Sequence, residues 1–185
     1  MTKAMKTKDK LLDVARTAFW ERGYSNVSLR DISGAAGVDV ALVSRYFGSK
    51  LGLFEATLDC AFEWPALFDP EGESPVDMLV RKFSSPQTKA IGATVHQMVL
   101  VNGADPEVGE LVRARVATEL ALPLTKRLGG AGLETNVALF LSVLLGTTAA
   151  RQTLKLPGLA DQSPEAFADQ LRHMAEAAMS YKSRD

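Results

Sequence analysis

Four times this 185-residue chain sets a small polar side chain directly before proline and follows the pair with helical spacing: Ser74-Pro75, Ser85-Pro86, Asp105-Pro106 and Ser163-Pro164. Each pair is a helix start with a mechanism. The side-chain oxygen accepts an orphan N–H of the first turn, and proline in the first position gives up only an N–H that has no partner there. Thr7 can cap a helix whose apolar positions Leu11, Leu12, Ala15, Ala18 and Phe19 stop at Gly23. Ser28, Asp39 and Ser49 can open the next three. Asp31, three residues after Ser28, makes a relative of the capping box, and Gly37 tolerates the left-handed conformation that ends a helix. The spacing predicts helices from Ser28 to Gly37, from Val40 to about Tyr46 and from Ser49 to about Glu63, then near 75–84, 87–101, 106–128, 134–154 and 164–181. No window alternates as a strand would. The predicted fold is all-α, with about nine helices and a loop-like stretch over 65–75.

With 46% hydrophobic and 23% charged residues, the chain can bury an ordinary globular core. The longest apolar run, Val137 to Leu145, is broken by Ser142 and falls short of the roughly 20 residues a membrane span needs. The basic start MTKAMKTKDK has no apolar stretch behind it, so no signal peptide is expected, and the single Cys60 allows no internal disulfide. A cytoplasmic protein is the expectation. The near-neutral total charge hides an asymmetry. Residues 1–52 hold nine Lys/Arg and five Asp/Glu, net +4, whereas the remainder holds twelve and seventeen, net −5. A basic module on an acidic body suits a nucleic-acid-binding head, although a solvated basic terminus would read the same way.

Residues 28–50, SLRDISGAAGVDVALVSRYFGSK, supply a sharper signal. Two short helices meet at a turn built on Gly37, and Ile32, Ala35, Val38, Val43 and Phe47 can face one another as a small core. Ala35 and Ala36 permit the close, steep crossing of a helix-turn-helix. The second helix then turns Val40, Ala41, Ser44 and Arg45 or Tyr46 outwards. Two apolar residues at an exposed helix start suit thymine methyl groups in a major groove, although a hairpin that merely packs in a bundle would share the pattern.

The stretch from Lys10 to Phe54 resembles the N-terminal domain of the tetracycline-repressor (TetR) family. The resemblance is carried by Leu12, Ala15, Phe19 and Gly23-Tyr24, by Ser28-Leu29-Arg30-Asp31-Ile32 and Ala35-Ala36-Gly37-Val38, and by Tyr46-Phe47-Gly48-Ser49-Lys50 with Leu53-Phe54. It implies a three-helix DNA-binding head over 1–50 and a larger helical ligand-binding and dimerisation domain over 51–185. It also implies a homodimer on double-stranded DNA and an unidentified small-molecule effector. By position, Arg30 should reach a base edge or phosphate, and Val40, Ala41, Leu42 and Ser44 should face the groove beside Arg45. Tyr46 and Lys50 should contact phosphate, with Thr7 and Ser28 as weaker phosphate candidates. Ser44 departs from the family, which most often has an aromatic residue or histidine there. More loosely, Gly146 to Arg151, Leu156 to Leu159 and Ser163-Pro164-Glu165 are similar to the C-terminal part of one actinobacterial-type branch.

Enzyme chemistry lacks its parts. His96 and His173 fall on different predicted helices without a cysteine or paired carboxylate at ligand spacing, so no metal and no cofactor are expected. The glycines at 129, 130 and 132 lack the Lys-Ser/Thr of a phosphate loop. The helix over 134–154 is apolar nearly all round, so it needs cover on more than one side, from its own core and from a second subunit or the rest of a monomer. Trp64, His96, Gln97, Met98 and Asn102 are the candidates for holding a small, mostly apolar effector. The expected function is a ligand-responsive repressor. The alternatives are a DNA-binding protein of the same fold without a small-molecule effector, or one with a protein effector.

Overall fold

A computed structural model of the chain describes residues 3–59, 61–62, 69, 71–84 and 92–182. All regular structure among them is helical. The order is α1 (Lys3–Arg22), α2 (Leu29–Ala36), α3 (Ala41–Phe47), α4 (Lys50–Asp59), α5 (Pro75–Ser84), α6 (Gly92–Asn102), α7 (Gly109–Val116), α8 (Leu122–Leu128), α9 (Glu134–Thr148) and α10 (Pro164–Met179). With the continuous run 109–128 counted once, the described residues form nine helices. None is long and apolar enough to cross a membrane.

Several boundaries depart from the sequence reading. Helix α1 already begins at Lys3, so Thr7 lies inside it and is not its cap. Alanine, methionine and lysine before Thr7 are good helix formers and carry the helix back past the hydroxyl. Helix α4 ends at Asp59, short of the expected Glu63. The Ser85-Pro86 start lies outside the described residues. The run expected over 106–128 opens with a turn, in which Asp105 Oδ1 accepts the N–H groups of Glu107 (2.9 Å) and Val108 (3.2 Å). It is also not uniformly α. Pro123 offers no N–H to the carbonyl four residues back, and the helix widens into a π turn over Ala117–Ala121, where the Leu122 N–H reaches the Ala117 carbonyl. A second π turn, Ala149–Thr153, continues α9.

The chain packs as two units, one of residues 1–63 with 97–115 and the other of residues 64–96 with 116–185. In the first, α1 packs on α2 and α4 around Leu11, Ala15, Phe19, Ile32, Ala36, Val43, Leu53, Phe54 and Leu58, all fully buried. Phe19, Tyr24 and Phe54 form an aromatic knot with centroids 5.3–5.6 Å apart. The second half of α6 buttresses this knot. Asn102 is fully buried; its Oδ1 accepts the Tyr24 N–H at 2.7 Å, and its Nδ2 donates to the carbonyls of Phe19 and Met98, both at 3.1 Å. Asp105 accepts the Ser25 N–H (3.2 Å), and Arg115 pairs with Asp59 (2.8 Å).

In the second unit α10 packs on α9 and α5 around Leu79, Val80, Leu124, Val137, Phe140, Phe167 and Leu171. Ser163 caps α10 by accepting the Ala166 N–H, with Pro164 at the first position as its sequence required. The far end of α10 is closed from α9: Asn136 Nδ2 donates to the carbonyls of Ala178, Met179 and Tyr181 at 2.8–3.1 Å.

Candidate DNA-binding face

The face is built on two short helices held by strong local signals. Ser28 Oγ accepts the Asp31 N–H (3.1 Å) while Asp31 Oδ2 accepts the Ser28 N–H (2.9 Å), a complete capping box. The Ser28 hydroxyl also donates to Asp31 Oδ2 at 2.6 Å. Its hydroxyl and then its amide hold the Asp31 carboxyl below its ordinary pKa. Helix α2 stops at Gly37, whose φ of 65° is left-handed and lets its N–H and that of Val38 return to the Gly34 and Ser33 carbonyls. Asp39 Oδ1 then accepts the Ala41 N–H at 2.7 Å and starts α3.

Only Val43 of α3 is fully buried. Val40, at 41% exposure, and Ala41, Ser44 and Arg45 stand in solvent; Leu42 and Tyr46 are half-buried. The small core differs in part from the sequence reading. Ile32 and Val43 are buried as expected, but Val38 and Phe47 are half-buried and Ala35 is exposed; Ala36, one residue on, takes the inside position. A 100° step per residue separates two adjacent alanines, so only one of them can lie under the crossing helix.

Arg30 is exposed on the first turn of α2. The hydroxyl of Ser28 is engaged in the capping box, and Thr7 is half-buried within α1. Lys50 opens α4, where Ser49 Oγ accepts the Gly52 N–H (3.0 Å), and its Nζ rests 4.1 Å over the Tyr24 ring centroid. Gly52 was not singled out from the sequence, yet it sets this corner. A Cβ there would lie 2.2 Å from the Phe47 carbonyl oxygen, so α3 and α4 meet this closely only over a glycine. The sole sequence signal was a glycine in the first turn of a predicted helix.

The candidate effector residues scatter. His96 is buried and its Nε2 lies 3.0 Å from the Leu145 carbonyl oxygen, Met98 is buried, and Gln97 is exposed. Asn102 has both amide hydrogens engaged by the chain itself. Trp64 lies outside the described residues.

Residues 11–57 match the family described as "Bacterial regulatory proteins, tetR family", and residues 72–177 match the "Tetracyclin repressor-like, C-terminal domain". The chain belongs to the TetR family. This TetR-family chain is 35% identical over 57 residues to the "Biofilm operon icaADBC HTH-type negative transcriptional regulator IcaR" of Staphylococcus aureus, a stretch that is 31% of each chain. It is 45% identical over 49 residues to the "Probable HTH-type transcriptional regulator YttP" of Bacillus subtilis, covering 26% of this chain and 24% of that one. The matches thus span a third or less of these curated relatives. Across 98% of this chain and 99% of the other, the fold is shared with Salmonella enterica GusR at a TM-score of 0.69 and 21% identity. The family is one of bacterial regulatory proteins, and the shared fold extends over nearly the whole chain.

Proposed function

We propose that the protein is a ligand-responsive repressor that binds a palindromic operator as a homodimer. Residues 1–50 would bind DNA and residues 51–185 would sense the ligand and dimerise. The observation that carries this reading is the exposed stripe of Val40, Ala41, Ser44 and Arg45 on α3, held by the buried Val43 in the positively charged part of the chain. Valine and alanine side chains read thymine methyls, and Arg45 or Arg30 reads a base edge or phosphate. Leu42 and Tyr46 flank the stripe, and Lys50 at a helix N-terminus suits a phosphate. Ser28 and Thr7, held as described above, would contribute less. Repression is the activity named for IcaR, to which this chain is 35% identical over 57 residues.

The dimer reading rests on α9. Its inner face buries Asn136, Val137, Phe140, Leu144 and Thr148, while Ala138, Leu139, Ser142 and Gly146 are exposed on the other side. An exposed face of small and apolar residues on such a helix suits an isologous four-helix bundle with α10. Two heads would then address half-sites roughly 34–36 Å or more apart.

Selection from random duplex DNA with the full-length chain tests the reading; a symmetric site should be enriched. Lys50→Ala should weaken binding to all duplexes alike and reduce the salt slope by about one unit, whereas Arg30→Ala or Arg45→Ala should also relax sequence preference. Enrichment of no symmetric site would overturn it. A DNA-binding protein of the same fold without a small-molecule effector, or with a protein effector, is the second reading. It is favoured by Asn102, one of the expected ligand contacts, being engaged within the chain.

A further inference from the structure

Among the described residues, the buried polar side chains of the second unit are Ser84, His96, Thr125, Asn136 and Thr148, with no aspartate, glutamate, lysine or arginine. Most are answered by the chain. Ser84 Oγ donates to the Val80 carbonyl (2.7 Å), Thr125 Oγ1 to the Ala121 carbonyl (2.9 Å), and Asn136 to the end of α10. His96 Nε2 lies against the Leu145 carbonyl oxygen. Thr148 differs. It is 1% exposed, and its Oγ1 has no hydrogen-bond partner. Ser84, Thr125 and the neighbouring Thr147 each bond a carbonyl one turn back, but Thr148 does not. A buried hydroxyl left without a partner is destabilising, so something outside the chain has reason to occupy it.

The surroundings narrow what that is. Leu145, Thr148 and Ala149 share a face of α9, being three and four residues apart, so the His96 ring docks on the face that carries Thr148. Directly beyond Thr148 the helix widens into the π turn Ala149–Thr153, a distortion that concentrates at functional sites. A charged ligand here would lose its hydration, and among the described residues of the unit no fully buried aspartate, glutamate, lysine or arginine stands ready to replace it.

We propose that Thr148, with His96 beside it, is the polar anchor of an effector site inside the second unit, and that the effector is an uncharged, largely apolar molecule carrying a hydroxyl or carbonyl oxygen. This rests on the ligand-responsive reading above and names the ligand chemistry for it.

The test uses the full-length protein and its Thr148→Val and Thr148→Ser variants. Calorimetric titration with naphthalene, 1-naphthol, 1-acetylnaphthalene and 1-naphthoate is paired with DNA affinity measured without probe. The two neutral oxygen-bearing probes should bind the natural chain more tightly than naphthalene, and naphthoate should bind least. Thr148→Val should bring 1-naphthol down to the naphthalene level, a loss of about 2- to 10-fold, and Thr148→Ser should restore it. If valine disturbs packing, Thr148→Ala, which cannot overfill the site, repeats the measurement. Unchanged 1-naphthol binding by the valine variant would mean that a buried water alone answers the hydroxyl and would overturn the proposal, as would naphthoate binding as tightly or no probe binding at millimolar concentration. Loss of DNA binding by the natural chain would instead sink the regulator reading itself, whatever the probes do.

Discussion

At the scale of single residues, the head depends on small polar groups that hold backbone ends. Asp31 sits on the capping box of α2, and hydrogen bonds from the Ser28 hydroxyl and amide hold its carboxyl below the ordinary aspartate value. A depressed folded-state pKa contributes stability that is complete above the unfolded value, about 3.9, and is lost as pH falls through the lower folded value. Asp31→Asn should therefore lower head stability at neutral pH, and the gap from the natural chain should close as the pH drops below about 4. Acid titrations of both proteins followed by circular dichroism would show the convergence; parallel curves would exclude the box as its source. Ser28 and Asp31 were legible in the sequence because a cap works through residues three apart. Asn102 was not: it read as a ligand contact, but its partners are the backbone of Phe19, Tyr24 and Met98, the first two about eighty positions away.

At the scale of elements, close approach between helices decides more than propensity does. Gly52 and Gly34 both stand in helices, where alanine is ordinarily better by up to about 1 kcal/mol. An added Cβ meets nothing within 4 Å at Gly34 but would lie 2.2 Å from the Phe47 oxygen at Gly52. Gly34→Ala should therefore stabilise the protein slightly. Gly52→Ala should destabilise it by about 1–3 kcal/mol and displace the Lys50 corner, weakening DNA binding. Chemical denaturation of the two variants side by side gives the sign of each; two stabilising outcomes would refute the account of the α3–α4 corner. The π turns belong to this scale as well. The sequence reading ran one helix through Pro123 over 106–128, because whether a proline kinks, ends or widens a helix depends on the packing around it.

For the molecule as a whole, the assembly hypothesis concerns α9. A charge at Leu144, which is 1% exposed, would disrupt the chain's own core and report on folding alone. Leu139, at 39% exposure on the opposite side, is the residue to change. Leu139→Arg should leave helical content intact and shift sedimentation from dimer to monomer at micromolar concentration. Operator affinity should fall as the second half-site contact is lost. An obligate interface of the expected kind buries more than about 2,000 Å², so one arginine near its centre should suffice. A variant that stays dimeric would move the interface elsewhere.

The sequence by itself determined the helices, most of their caps, the helix-turn-helix and the family, because those signals act over three or four residues or along one contiguous motif. It also placed Val40, Ala41, Ser44 and Arg45 on the outer side of α3, since one turn of helix allots faces by spacing alone. Only the tertiary structure decided that Ala36, not Ala35, faces inward, that Gly52 must lack a side chain, and that Asn102 holds the head while Thr148 is left without a partner. Each of these depends on which atoms from distant positions arrive at the same place. A polar residue in an apolar helix reads the same whether the fold brings it a backbone carbonyl or nothing at all.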